Sequence, residues 1–205
     1  MTLAASENTN SRTIAAVIML LVAGAFAYSS ALSGPFIFDD SPAIQNDTVR
    51  SLQPFWRALK PPPQSPFAGR PLVNLSFAIN YAISGNDVRG YHLTNIALHL
   101  LSGLLLLALL RRSLRLPRVT SYLRENADLI ALACALLWEV HPILTEVVTY
   151  LSTRTEGLMS FFFLLAFYCF VRAVESPQRK SWAIGTVVAC GLGSGCKEVM
   201  GVAPI

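Results

Sequence analysis

The sequence predicts an all-α polytopic membrane protein, and three observations predict it. Of 205 residues, 53% are hydrophobic, only 14% are charged, and the apolar ones fall in blocks rather than at the spacings of surface helices or strands. Soluble domains carry about 25% charge. A bilayer core instead demands about 20 consecutive apolar residues per helix, a length that several blocks approach.

The first block, Ile14 to Ser33, contains no charge and would span about 30 Å as a helix. A secretory signal peptide has an apolar region of about 7 to 15 residues, so this length favours a retained anchor preceded by a short tail, residues 1–13. A polar, proline-rich loop follows over 34–92. Within it Leu52, Phe55, Trp56 and Leu59 recur at helical spacing and Leu72 to Ile83 forms a short apolar stretch. Both are expected to lie as helices along the membrane surface.

The second span is expected over Leu93–Leu110, closed by Arg111, Arg112, Arg115, Arg118 and Arg124. A third is expected over Ala127–Val140, a fourth over Gly157–Val171 and a fifth over Ser181–Cys196, and the apolar run from Met200 to Ile205 reads as the start of a sixth. Five arginines in one short loop mark it cytoplasmic. Alternation then places the amino terminus inside together with Arg12, Arg172, Arg179 and Lys180, which gathers nine of the 16 basic residues on that side. The 34–92 loop is external, facing a periplasm or the lumen of the endoplasmic reticulum.

A net charge of +4, scattered among loops without interleaved aromatics, excludes a nucleic-acid surface. Cys134, Cys169, Cys190 and Cys196 lie in apolar blocks without metal-ligand spacing and read as small membrane-helix residues. Asn46-Asp47-Thr48 and Asn74-Leu75-Ser76 match the glycosylation sequon, a triplet too frequent by chance to carry function.

The candidate chemistry sits at the outer ends of the spans. Asp39 and Asp40, directly after Phe36-Ile37-Phe38, are adjacent carboxylates beside the bilayer, able to take a proton as a base or to hold a divalent cation; a solvated turn is the bland alternative. His92, Asn95 and His99 share one helix face at the entrance to the second span. His92 is placed to serve a site, whereas the deeper His99 reads as a helix-packing residue. Glu139, His141, Glu146, Arg154 and Glu156 crowd the connection between the third and fourth spans, where Arg154 could pair with Glu146 or meet a phosphate diester. Lys197-Glu198 follows the fifth span, with Lys197 a point charge for phosphate or a snorkelling side chain.

Taken in order, Phe36-Ile37-Phe38-Asp39-Asp40, Gly69-Arg70-Pro71-Leu72, Tyr91-His92-Leu93-Thr94-Asn95 with His99, His141-Pro142 with Thr145-Glu146 and Arg154, and Lys197-Glu198 resemble the amino-terminal part of the TMTC-like transmembrane O-mannosyltransferases. The resemblance covers roughly residues 14–205. It implies a GT-C-like helical bundle, here an incomplete one, whose later spans and tetratricopeptide repeats lie beyond this chain. It implies transfer of a sugar, typically mannose, from a polyprenyl-phosphate carrier to a protein hydroxyl at the outer or lumenal face. Asp39 or Asp40 would be the catalytic base, and Arg70, His92, Asn95, His141, Glu146, Arg154, Lys197 and Glu198 the substrate-binding candidates. Glu139 departs from the family, in which a small or apolar residue is expected there. The rival reading is a non-catalytic membrane scaffold, or a truncated and inactive relative.

Overall fold

The computed structural model describes residues 2–202, with side chains described from residue 11 onward. Among the described residues all regular structure is helical. In chain order the α-helices are α1 (Thr2–Ala27), α2 (Asp40–Gln45), α3 (Phe55–Ala58), α4 (Pro71–Ser84), α5 (Val88–Leu114), α6 (Ser121–Glu125), α7 (Ala127–Glu139), α8 (Thr145–Thr149), α9 (Arg154–Glu175) and α10 (Arg179–Ser194). Short 3-10 turns join several of them, at Ser29–Ser33, Pro142–Leu144, Leu151–Thr153 and Glu198–Val202.

Among the described residues two helices are long and apolar enough to cross a membrane: Val88–Leu114, with 27 residues, and Leu151–Glu175, with 25 including its leading 3-10 turn. The expected second and fourth spans fall inside them. The expected third span takes a different form. Ala127–Glu139 is only 13 residues long, and the segment continues as Pro142–Thr149 after a 49° bend, so it counts as a span only if the two pieces are taken as one. His141-Pro142 causes the break, because proline has no N–H for the helix ladder and disfavours helical geometry in the residue before it.

The remaining apolar blocks are shorter as helices than as sequence. The first leaves α-helix at Ala27 and turns 3-10 over Ser29–Ser33, so only residues 14–27 of the block lie in the α-helix. α10 has 16 residues, below the length of about 20 that spans a hydrocarbon core. Of the expected sixth span, Met200 to Val202 sit in a 3-10 turn and residues 203–205 lie outside the described residues.

α5 is the central helix, packed against α1, α4, α7, α8 and α9, while α9 also packs along α10. Asp87 caps α5 by accepting from the Arg89 N–H at 3.1 Å, and Arg111 and Arg112 in its last turn complement the helix dipole. Those arginines are tied down: Arg111 and Arg115 each meet Asp128 at 2.7 Å, and Arg112 meets Glu175 at 3.1 Å. From His92 to Arg111 the helix rises about 28 Å, close to the thickness of a bilayer core. The motif-bearing end and the arginine end are therefore opposite ends of the bundle.

The 34–92 loop is folded. Ala43, Ile44, Val49, Phe67, Val73, Phe77 and Tyr91 form one buried cluster with Leu151 and Cys196, so the loop packs onto the start of α9 and the end of α10. Asn74, in the second glycosylation triplet, is fully buried in the loop, where its amide donates to Thr48 Oγ1 and to the Ala58 carbonyl, both at 2.9 Å. Of the helix expected around Leu52 to Leu59, only the single turn Phe55–Ala58 forms, beginning directly after Pro54. The Leu72 to Ile83 stretch is the body of α4, opened by Pro71 at a position where its missing N–H costs nothing and closed by Gly85 at φ 55°.

Candidate functional site

The chain leaves Ser29–Ser33 in extended form and turns sharply at Phe38, whose φ of 43° is left-handed, a strained conformation for a bulky residue. The turn leaves the Phe38 ring 86% exposed and sends the next two carboxylates in different directions. Asp40 is fully buried. One of its oxygens accepts from both the backbone N–H and the hydroxyl of Ser152 at 2.8 Å, and the other from the Ile37 N–H at 3.1 Å. Asp39 stays exposed, and among the described residues only its backbone is held, its N–H donating to the Tyr150 hydroxyl at 3.3 Å.

Behind this turn lies Arg154, fully buried although it was expected to face outward. Its Nε donates to Asn95 Oδ1 at 2.7 Å and an Nη donates to the Tyr91 carbonyl at 3.0 Å, while the guanidinium lies 4.1 Å from the centre of the Phe77 ring. It forms no ion pair with Glu146, nor with any other carboxylate within 4 Å among the described residues. His92 is buried too, its Nε2 donating to the Gly34 carbonyl at 3.3 Å. Asn95 Nδ2 is buried without a hydrogen-bond partner among the described residues, and Asn95 lines a cavity of about 50 Å³ together with His99, Ser102 and Arg154. That volume suits a few water molecules and is far too small for a sugar.

Hydrogen bonds through Asp40, His92, Asn95 and Arg154 thus join residues 34–40, 91–95 and 150–154, and Asp39 adjoins them through its backbone. Lys197 borders this network, half-buried and paired with Glu156, two residues beyond Arg154. The other candidates stand apart. His141 is exposed and its Nδ1 accepts from the Ile143 N–H, capping the 3-10 turn. Glu146 is exposed with its carboxylate in no ion pair among the described residues, Arg70 donates to the Pro66 carbonyl of its own loop at 3.4 Å, and Glu198 is exposed. No group of three His, Cys, Asp or Glu side chains among the described residues is spaced to hold a metal ion, so a cation at Asp39 would draw on main-chain or solvent oxygens. Tyr150 and Ser152 escaped sequence reasoning, since an isolated tyrosine or serine at a helix junction carries no pattern.

Fold and site together define a helical membrane protein with an exposed aspartate, held by its backbone, at the end of its apolar helices. Residues 64–205 match the model of the family described as dolichyl-phosphate-mannose-protein mannosyltransferase, and the chain belongs to that family. The match begins after Asp39 and Asp40 but includes every other candidate. The chain is 31% identical to protein O-mannosyl-transferase Tmtc3 of Drosophila melanogaster over 94% of its own length and 23% of the relative's. It is 30% identical to human protein O-mannosyl-transferase TMTC4 over 87% and 27%, and 31% identical to mouse protein O-mannosyl-transferase TMTC2 over 84% and 20%. It therefore spans about a fifth to a quarter of the length of these relatives. No solved structure matches.

Proposed function

We propose that this chain supplies the acidic catalytic corner of a membrane protein O-mannosyltransferase that uses a polyprenyl-phosphate sugar donor. The observation that carries the reading is the division of labour between the two aspartates: Asp40 is buried under three hydrogen bonds, and Asp39 is exposed with its carboxylate in no ion pair among the described residues. Asp39 is the base. It takes the proton of an acceptor serine or threonine hydroxyl while that oxygen attacks the anomeric carbon; the bond from that carbon to the carrier phosphate breaks, the configuration inverts, and the phosphate leaves with the bonding electrons. Asp40 holds the turn rather than touching substrate.

Half-buried Arg70 and Lys197 are the cations able to meet the leaving phosphate, while Arg154 contributes a fixed positive charge from beneath the site. The arginine-rich end of α5 faces the cytoplasm with the amino terminus, and the aspartates face the periplasm or the lumen of the endoplasmic reticulum. The folded 34–92 loop forms the outer surface, with α3 and α4 at the membrane interface, and the later spans of the family complete the donor groove. The test follows radiolabelled mannose from a polyprenyl-phosphate donor into an acceptor protein, with the purified transferase that carries this chain together with the family's later spans, and its Asp39→Asn variant. Transfer by wild type and its loss in the variant are expected; equal transfer by both would remove Asp39 from the chemistry.

A further inference from the structure

α7 ends where its own hydrogen bonding runs out. The Glu139 carbonyl would ordinarily accept from residue 143, but Ile143 gives its N–H to His141 Nδ1 at 3.2 Å. Two side chains from other helices supply the missing donors. The Tyr28 hydroxyl, at the end of α1, donates to this carbonyl at 3.1 Å, and His99 Nε2, from α5, at 2.8 Å. Both side chains are buried. The His99 ring is itself fixed, edge-on to Tyr28 with centroids 5.1 Å apart and stacked on Trp138 at 4.8 Å.

The Glu139 side chain reaches between the same helices. A Cβ added to Gly24 of α1 would lie 2.6 Å from Glu139 Oε1, and one added to Gly103 of α5 only 1.8 Å from Oε2, so both positions require glycine to admit the carboxyl group. The 49° bend after α7 is thus gripped from two neighbouring helices at the carbonyl and at the side chain. Beyond the bend α8 leads within a few residues to Tyr150 and Ser152, the groups that hold Asp39 and Asp40.

We infer that Tyr28 and His99 are positioning residues for the transfer reaction: by capping the Glu139 carbonyl they fix the α7–α8 bend, and through it the 150–152 turn that aims Asp39. The inference rests on the reading of Asp39 as the base. Neither residue touches substrate, and misplacement of a base by about 1 Å from such a distance lowers turnover up to about a hundredfold.

The experiment uses the transferase that carries this chain together with the family's later spans, in lipid nanodiscs, with polyprenyl-phosphate mannose and an acceptor peptide as probes and with hydrogen exchange of residues 140–153 as a second readout. His99→Leu should lower kcat by about ten- to a hundredfold with KM for both substrates within about twofold, and should speed exchange across 140–153. His99→Gln, whose amide N–H can reach the same carbonyl, should recover both. Tyr28→Phe removes a single hydroxyl and should show the same pattern more weakly, which keeps the test alive if His99→Leu does not fold. Unchanged kcat and exchange in His99→Leu and Tyr28→Phe, or a His99→Gln variant as impaired as His99→Leu, would overturn the inference. If wild type transfers no mannose, the transferase reading fails by itself, and unchanged exchange in the variants would then refute the clamp independently.

Discussion

Asp40 accepts two hydrogen bonds from Ser152, one from its backbone and one from its hydroxyl, each at 2.8 Å across 112 residues of sequence. This contact binds the end of the first apolar segment to the start of α9, and it separates the fates of the adjacent aspartates. Asp40→Asn would turn an NH2 group toward donors that need an acceptor, at a cost of about 1–3 kcal/mol. Its melting temperature in detergent should fall clearly, whereas Asp39→Asn, at an exposed site, should stay within about 0.5 kcal/mol of wild type while losing transfer. The sequence alone suggests equal tolerance at both positions, so equal melting temperatures would argue against the buried role of Asp40.

Arg154 and Asn95 should behave as a unit. Arg154→Lys keeps the charge but cannot reach Asn95 Oδ1 and the Tyr91 carbonyl together, so a loss of about 2–4 kcal/mol is expected from unmet buried polar groups. Asn95→Asp removes the partnerless Nδ2 and places a carboxylate on the guanidinium, and it should fold at least as well as wild type. Asn95→Leu should not. Thermal unfolding of the three variants ranks them, and an Asn95→Leu protein as stable as Asn95→Asp would show that the contact contributes little.

Topology is open to a direct chemical test. With the native cysteines replaced, a single cysteine at Gln64 should react with a membrane-impermeant maleimide from the outer side, and one at Thr120 only after the cytoplasmic side is exposed. Both positions are exposed, so labelling reports sidedness rather than burial. The reverse pattern would move the aspartates to the cytoplasm and end the lumenal reading of the site.

The parts of this molecule that were legible in the sequence are those governed by local rules. α5 and α9 declare themselves through unbroken apolar runs, and the arginine cluster marks one end of the bundle because charge rarely enters a bilayer core. The motif blocks around Asp39, His92 and Arg154 were visible as misplaced polarity. Their partners were not: Ser152 is one serine among many, and nothing in its neighbours indicates that it meets a carboxylate 112 positions earlier. Arg154 was read as a partner for Glu146 or for a phosphate diester at the outer connection; its burial depends on Asn95, the Tyr91 carbonyl and the Phe77 ring arriving together from two other helices. The broken α7 reads as one short span until the bend at His141-Pro142 is seen in three dimensions.

Glu139 offers the sharpest test of the packing between α1, α5 and α7. Its side chain is fully buried and neither carboxyl oxygen has a hydrogen-bond partner among the described residues; His99 Nε2, 3.7 Å from Oε1, already serves the Glu139 carbonyl. A buried polar group left in this state costs about 1–3 kcal/mol, and an apolar side chain of similar size recovers that cost. Glu139→Leu should therefore raise the melting temperature while leaving the Tyr28 and His99 bonds to the main chain in place. Gly103→Ala should do the opposite, because its methyl group would collide with Oε2, and overpacking typically costs about 1–3 kcal/mol. The two sites touch, so their effects should not add: combined with Glu139→Ala, which empties the space, Gly103→Ala should cost much less than it does alone, a coupling of about 1 kcal/mol or more in a double-mutant cycle. Additive losses in that cycle would mean that the carboxyl does not lie against Gly103, and the three-helix clamp on the α7 bend would lose its side-chain half.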